Sequence, residues 1–352
     1  MKFLRLLLFP FSLIYAGVVI LRNFAYNARI FKSRKFDIPV ISIGNLAVGG
    51  TGKSPMTEYL IRLLKDEYKI ATLSRGYGRK TTGFLFVEAI SKAEETGDEP
   101  LQFKAKFSDI TVAVCEKRVD GIEKLKAGNE VILLDDAYQH REVKPGLSIL
   151  LFDYNEVFKP QLFLPAGNLR EPFSGRKRAD IIVVTKTPEI LSNERKAALI
   201  SKIKPYPQQH VFFSYVQYED LYSCLNGSRK RLDSLSYKTE IVLITGIVNP
   251  KPLIEKLKTF TSNIRSHQYP DHHPFTQKNI VKLAADFNSI ESADKIIITT
   301  EKDMQRLKSV KEFELLNSLP VYFLPIVAKI HDSPQRFNNL ITAYVAKHLQ
   351  HN

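Results

Sequence analysis

Gly44–Pro55 reads GNLAVGGTGKSP. The run before it, IPVISIG (38–44), is continuously apolar, as in a strand buried on both faces. The run after it, PMTEYLIRLLKDEY (55–68), places Met56, Tyr59, Leu60, Leu63 and Leu64 on one helical face. Pro55 suits a first helical turn, where no intrahelical N–H is needed. Strand, glycine loop, Gly-Lys-Ser and helix are the parts of a phosphate-binding loop. Backbone N–H groups curl around phosphate oxygens and the helix N-terminus adds positive potential. In such a loop Lys53 reaches the β and γ phosphates and the Ser54 hydroxyl takes Mg²⁺. Gly49, Gly50, Thr51, Gly52, Lys53 and Ser54 are the candidate cradle. The general pattern asks for glycine five residues before Gly52, where Ala47 stands.

Outward from the loop, KIATLS (69–74), ITVAVC (110–115), EVILLDD (130–136), LSILLFD (147–153) and DIIVVTK (180–186) read as further strands. Strands separated by helical or long connections imply an α/β domain with a mainly parallel sheet flanked by helices, like a P-loop NTPase. EIVLITGI (240–247), KIIITT (295–300) and VYFLPI (321–326) repeat the style, with helical patterns around 251–259, 276–287 and 303–316. HVFFSYVQYEDLYSCL (210–225) alternates and is aromatic, which suits extended ribbon, and NGSRK (226–230) is a turn signal. The expected organisation is a membrane-associated helix over 1–25, a P-loop domain over 26–209, an extended linker over 210–235, and a smaller α/β domain over 236–352.

The chain of 352 residues carries a formal charge of +14, which points to an anionic partner. Two distant cysteines, Cys115 and Cys224, imply neither a disulfide framework nor a metal motif. The first 36 residues hold Lys2, Arg5, Arg22, Arg29, Lys32, Arg34 and Lys35 and no acid. Between Arg5 and Arg22 lie sixteen uncharged, mostly apolar residues. As a helix they would reach about 24 Å, short of a hydrocarbon core of about 30 Å, and Pro10 would disturb them. No small-residue cleavage site follows, as a secretory signal would need. An all-round apolar helix with a basic collar suits a membrane anchor with its collar on anionic head groups better than a core helix.

Asp135 and Asp136 end an apolar strand. Acids at the carboxyl edge of a parallel strand face the same crevice as the loop, where Mg²⁺ would sit. Four further stretches need a role. LSRGYGRK (73–80) sets Arg75, Arg79 and Lys80 around two glycines as an anion clamp. TGDEP (96–100) holds Asp98 and Glu99 before Pro100, which favours non-helical backbone there. YPDHHPF (269–275) holds Asp271, His272 and His273 but lacks zinc-ligand spacing. LPAGNLREP (164–172) is a loop with paired charges. In TTEKD (299–303), Lys302 is a candidate for the site, while Thr300 and Asp303 have the spacing of a helix cap.

Together these residues resemble the tetraacyldisaccharide 4′-kinases of lipid A biosynthesis. The resemblance spans nearly the whole chain: the N-terminal anchor, GNLAVGGTGKSP, SRGYGRK, GDEP, LLDDAYQHR, LPAGNLREP, VVTK, PDHH and TTEKD, in that order. That family's loop also lacks the early glycine. One departure is Ala137-Tyr138, where glycine and phenylalanine are more usual. The resemblance implies transfer of the γ-phosphate of MgATP to the 4′-hydroxyl of a tetraacylated glucosamine disaccharide 1-phosphate, giving the 1,4′-bisphosphate. It implies that Lys53 binds phosphates, that Ser54, Asp135, Asp136 and Glu99 serve the metal, and that Asp98 is the base with His272 its partner. Arg75, Arg79, His140, Asn168 and Arg170 would contact the substrate. The implied partners are the acylated lipid and an anionic membrane surface, not nucleic acid. The implied location is the cytoplasmic face of the inner membrane, peripherally or through one N-terminal anchor. Asp98 and His272 fall in different expected domains, so they meet only if an interdomain cleft closes.

One rival is a SIMIBI-like P-loop GTPase or ATPase that drives a protein partner. Against guanine reading, Pro188 stands two residues after Lys186, where an aspartate would be needed. A second rival, a basic nucleic-acid binder, has no recognised module to support it.

Overall fold

The computed structural model describes residues 5–350, so Lys2 of the expected collar lies outside it. Two sheets organise the chain. The first has nine strands in the order β15-β8-β7-β6-β1-β5-β2-β4-β3. They are β1 (Val40–Asn45), β2 (Ile70–Ser74), β3 (Leu85–Phe86), β4 (Thr111–Val114), β5 (Val131–Asp135), β6 (Leu147–Asp153), β7 (Ile181–Thr185), β8 (His210–Tyr218) and β15 (Ile326–Ile330). From β8 to β4 all pairings are parallel; the two edge strands, β15 and β3, run antiparallel. Every residue of β1, β2, β5 and β7 is buried, as their continuous Ile, Val and Leu content requires of strands covered on both faces.

Helices on this lobe are α1 (Phe9–Asn27), α2 (Lys53–Leu64), α3 (Ala93–Thr96), α4 (Asp98–Lys106), α5 (Arg118–Leu125), α6 (Asn193–Ile203) and α10 (Pro334–Leu349). The second sheet runs β10-β9-β14-β13-β11-β12. Its strands are β9 (Leu221–Ser223), β10 (Arg229–Lys230), β11 (Glu240–Thr245), β12 (Ile264–Gln268), β13 (Lys295–Thr300) and β14 (Val321–Leu324), with α7 (Lys251–Lys258), α8 (Gln277–Asn288) and α9 (Glu301–Lys308) alongside.

The expected C-terminal unit, 236–352, is corrected. VYFLPI is two strands, not one. Pro325 has no N–H to continue a ladder, and the chain there leaves β14 in the second sheet for β15 in the first. The Glu219 N–H donates to the Pro325 carbonyl at 3.0 Å, so two chain segments cross between the lobes side by side. The expected linker is likewise divided, with β8 in the first sheet and β9 and β10 in the second. α10 then buries Phe337, Ile341 and Val345 in the core that holds Ile41, Ile43 and Leu60. Both ends of the chain therefore build the P-loop lobe.

α1 is, among the described residues, the one helix long and apolar enough to cross a membrane. Pro10 does not disturb it, because it lies in the first turn. Small and polar residues Ser12, Ala16, Val19 and Asn23 face the protein, whereas Ile14, Val18, Leu21 and Phe24 are exposed. The collar is partly internal. Arg5 donates to the carbonyls of Pro165 and Gly167 and to Asn168 Oδ1, and Arg22 pairs with buried Glu171 at 3.3 Å. These two arginines dock the helix on the 163–171 loop, so they are not free for head groups as expected.

Candidate active site

β1 lies between β5 and β6, with Ile43 in register with Asp135. The loop after β1 therefore opens beside Asp135 and Asp136. Gly49 (φ 115°) and Gly52 (φ 80°) take left-handed backbone that disfavours any side chain, and α2 begins directly at Lys53. The loop is braced from both sides. Asn45 Nδ2 donates to Thr51 Oγ1 at 2.8 Å, and Thr185 Oγ1 donates to the Thr51 carbonyl at 2.8 Å. Lys186 donates to the Gly50 carbonyl and pairs with Asp153 at 2.9 Å. VVTK is thus a loop brace. Ala47 forms a β-bridge with Leu169, and the Val48 N–H donates to the Asn168 carbonyl. Where a general P-loop has its first glycine, this chain is extended and paired to the LPAGNLREP loop.

Asp135 is fully buried and accepts from Thr57 Oγ1 at 3.2 Å. Burial, then the charges of Glu99 and Asp136, push its carboxyl up to about 7 against the pull of Lys53. Asp136 has φ 47° and accepts from Arg170 at 2.9 Å, with Lys53 Nζ at 3.6 Å. Burial works to raise it, but Lys53 and Arg170 outweigh burial and hold it below the usual range. The Ser54 hydroxyl donates to Glu99 at 3.1 Å.

Glu99 and Asp98 open α4, so the expected non-helical backbone at GDEP is corrected. Pro100 falls in the first turn, where its missing N–H costs nothing. The two acids sit at the positive end of the helix. Gly97 (φ 92°) would carry a Cβ 3.0 Å from the Tyr77 carbonyl, so the GDEP and SRGYG backbones touch.

From the other lobe, His272 Nδ1 lies 2.9 Å from Asp98 Oδ2. His272 has φ 57°, a turn conformation that aims its ring across the cleft, and Tyr77 covers that ring at 5.2 Å. Lys302 Nζ is 3.3 Å from His272 Nε2, 3.8 Å from Glu99 and 3.7 Å from Asp271. An ammonium can only donate. Facing it, Nε2 can only accept, which leaves Nδ1 to donate toward Asp98. The Asp271 carboxylate, 3.5 Å from Nε2, is the weaker neighbour. The expected helix cap in TTEKD is present, with Thr300 Oγ1 accepting from the Asp303 N–H at 3.0 Å, and Lys302 from the same stretch stands beside His272.

Two arginines escaped the sequence reading. Arg306 Nε stands 3.3 Å from Asp98 Oδ2, an ion pair without hydrogen-bond alignment, and its Nη2 donates to Asp303 at 2.7 Å. Its spacing of three from Asp303 on one helix was the available signal. Arg118 follows the end of β4, as Asp135 ends β5. It is 1% exposed; Nη1 donates to the Cys115 carbonyl, while Nε and Nη2 have no partner among the described residues. Burial holds its guanidinium down to about 10, although Asp135 and Asp136 pull it up. Burial, then Arg118 and Arg75, push His140 down to about 4, so its imidazole is neutral at physiological pH.

The expected residues Lys53, Ser54, Asp135, Asp136, Glu99, Asp98, His272 and Arg170 thus converge, and exposed Arg75 and partly buried His140 border them through the charge of Arg118. Asn168 instead accepts from Arg5. Arg79 is corrected as a substrate contact: its side chain is 2% exposed, paired with Glu116, and it donates to the Gly83 carbonyl at 2.6 Å. It braces its own loop.

The family model for tetraacyldisaccharide-1-P 4′-kinase matches residues 4–346. A tetraacyldisaccharide 4′-kinase of Flavobacterium johnsoniae is 44% identical, over 99% of this chain and all of its own length. One from Phocaeicola vulgatus is 43% identical over 97% of this chain and 95% of its own. The crystal structure of the "apo" form of LpxK from Aquifex aeolicus in complex with ATP superposes with a TM-score of 0.74 at 28% identity, covering 97% of this chain and 99% of that one. The chain belongs to the tetraacyldisaccharide 4′-kinase family. As a member it is a phosphotransferase with a P-loop NTPase-like fold. The departure at Ala137-Tyr138 is accommodated by packing. Both side chains are buried, and the Tyr138 hydroxyl donates to the Gly175 carbonyl at 2.8 Å. Gly44, whose Cβ would lie 2.7 Å from that of Tyr138, leaves room for it.

Proposed function

We propose that the chain transfers the γ-phosphate of ATP to the 4′-hydroxyl of a tetraacylated glucosamine disaccharide 1-phosphate, with Asp98 as the base. The product is the 1,4′-bisphosphate of the lipid IVA type. The observation that carries this reading is the 2.9 Å contact between Asp98 and His272 beside the Lys53 loop. A sugar hydroxyl is a weak acid, and phosphoryl transfer asks chiefly for alignment and charge neutralisation. The Asp98 carboxylate takes the hydroxyl proton as the new P–O bond forms. His272, donating through Nδ1, aims that carboxylate, and Lys302 holds the ring in this tautomer. Lys53 and the N–H groups of the glycine loop bind the phosphates. The closed cleft excludes water, which would otherwise accept the phosphoryl group.

Mg²⁺ fits the donors present. Among the described residues no three His, Cys, Asp or Glu side chains form a metal site by themselves. That suits an ion held by one or two carboxylates together with phosphates and water. Ser54, Glu99 and Asp135 would hold it, and a cation there would oppose the burial and the Glu99 and Asp136 charges that raise the Asp135 carboxyl. When bound, the ion neutralises charge on the β and γ phosphates.

Arg75 and the unpaired donors of Arg118, with the neutral His140 imidazole beside them, form a polar, cationic border suited to the polar part of the lipid. The exposed face of α1, with Ile14, Val18, Leu21 and Phe24, supports membrane docking, with exposed Arg29, Lys32 and Lys35 at the head groups. This corresponds to the cytoplasmic face of the inner membrane, where ATP is available. The test is transfer from γ-labelled ATP to the purified disaccharide 1-phosphate lipid, with the product's phosphate position determined. Label at the 4′ position supports the reading; hydrolysis alone removes it.

A further inference from the structure

Away from the phosphates, three helices meet at one ammonium. Lys106 Nζ lies 2.8 Å from Glu58 Oε2 and 2.7 Å from Glu301 Oε2. Glu58 belongs to α2, the helix that begins at Lys53. Lys106 ends α4, the helix that begins at Asp98. Glu301 opens α9 of the other lobe, next to Lys302 and five residues before Arg306. Gln102, also on α4, donates to Glu58 Oε1 at 2.8 Å and reaches Glu301 Oε2 at 3.5 Å. The side chains are well covered: Glu58 is 2% exposed, Glu301 13% and Lys106 15%. Arg62 adds a longer contact to Glu58 at 3.4 Å but does not reach across the cleft.

The arrangement is charge-poor for closure without Lys106. Two carboxylates from opposite lobes would then face each other with the Gln102 amide between them and Arg62, on the Glu58 side alone, as the nearest remaining cation. Like charges held this close at low dielectric repel strongly. Burial and the Glu58 charge already push the Glu301 carboxyl up, against Lys106.

We infer that Lys106 is a positioning residue for phosphoryl transfer: by bridging Glu58 and Glu301 it clasps the lobes closed and keeps His272 against Asp98. Lys106 touches no reacting atom. It sets the relative placement of the phosphate loop, the proposed base and the lobe that carries His272, Lys302 and Arg306. The inference rests on the Asp98 reading for its catalytic consequence, but lobe closure is measurable without turnover.

The test uses the full chain with spin labels at cysteines replacing the exposed Glu67 and Glu291, one on each lobe. In Lys106→Met the interlobe distance distribution broadens to longer distances. Its kcat falls about 10- to 100-fold, while the equilibrium affinity for ATP stays within about threefold and the far-UV spectrum is unchanged. Lys106→Arg restores both readouts. Adding Glu301→Gln to Lys106→Met, which relieves the repulsion, recloses part of the distribution and recovers part of kcat. A merely structural lysine would not be rescued by removing a charge on the opposite lobe. A wild-type distance distribution in Lys106→Met overturns the inference, as does a double variant no more closed than Lys106→Met. Loss of the Asp98 reading would show instead as normal turnover of an Asp98 variant, with the Lys106 distance result unaffected.

Discussion

Asp98 and His272 are 174 residues apart in sequence and 2.9 Å apart in space. Each is fixed by its own lobe. Asp98 opens a helix whose N-terminus packs on the SRGYG backbone, and His272 sits in a left-handed turn under Tyr77. Their contact joins the two lobes across the site, and under the proposed mechanism it couples substrate enclosure to activation of the hydroxyl.

Asp98 is also held by Arg306, and Arg306 by Asp303, which is fully buried. Arg306→Met should destabilise the chain by about 3–5 kcal/mol, because it leaves a buried carboxylate without its partner. Denaturant unfolding measures this. Asp303→Asn in the same chain should return a substantial part of the loss; simple addition of the two single effects would contradict the pairing.

Glu301 gives a pH dependence of definite sign. Burial and Glu58 push its carboxyl from its ordinary 4.5 up to about 7. Folding therefore strengthens proton binding there, and the group's contribution to stability falls as pH rises through that window. Glu301→Gln removes this dependence. The melting temperature of Glu301→Gln minus that of the wild type should be more positive at about pH 8 than at about pH 5. An equal difference at both values would contradict it.

The exposed face of α1 should carry membrane binding. Ile14→Glu with Leu21→Glu should lower flotation with anionic vesicles by about tenfold or more, while transfer to detergent-dispersed substrate persists. Undiminished flotation would assign membrane binding elsewhere.

The P-loop lobe was legible because its information is local. An apolar run, glycines at left-handed positions and a helix start occur in one stretch, and Asp135 marks the end of a neighbouring strand. The Asp98–His272 pairing was legible through the resemblance of whole motifs, not through spacing. Long-range commitments were not legible. Arg79 looks like a free cation in sequence, yet Glu116 and the Gly83 carbonyl take it inward. Arg5 and Arg22 look like head-group ligands, yet the 163–171 loop and Glu171 occupy them. Pro325 gave a local signal that the strand ends, but not that the next strand joins the other sheet. Pro100 reads locally as favouring non-helical backbone, because its place in a first turn depends on where the helix begins.

The most direct measurement is single-turnover transfer from γ-labelled ATP to the purified disaccharide 1-phosphate lipid, comparing wild type with Asp98→Asn. The substitution preserves shape and leaves Lys53, Ser54 and the glycine loop untouched. The account predicts a rate lower by about 10²- to 10⁴-fold, with the equilibrium affinity for ATP within about threefold. Transfer by Asp98→Asn at the wild-type rate would contradict it.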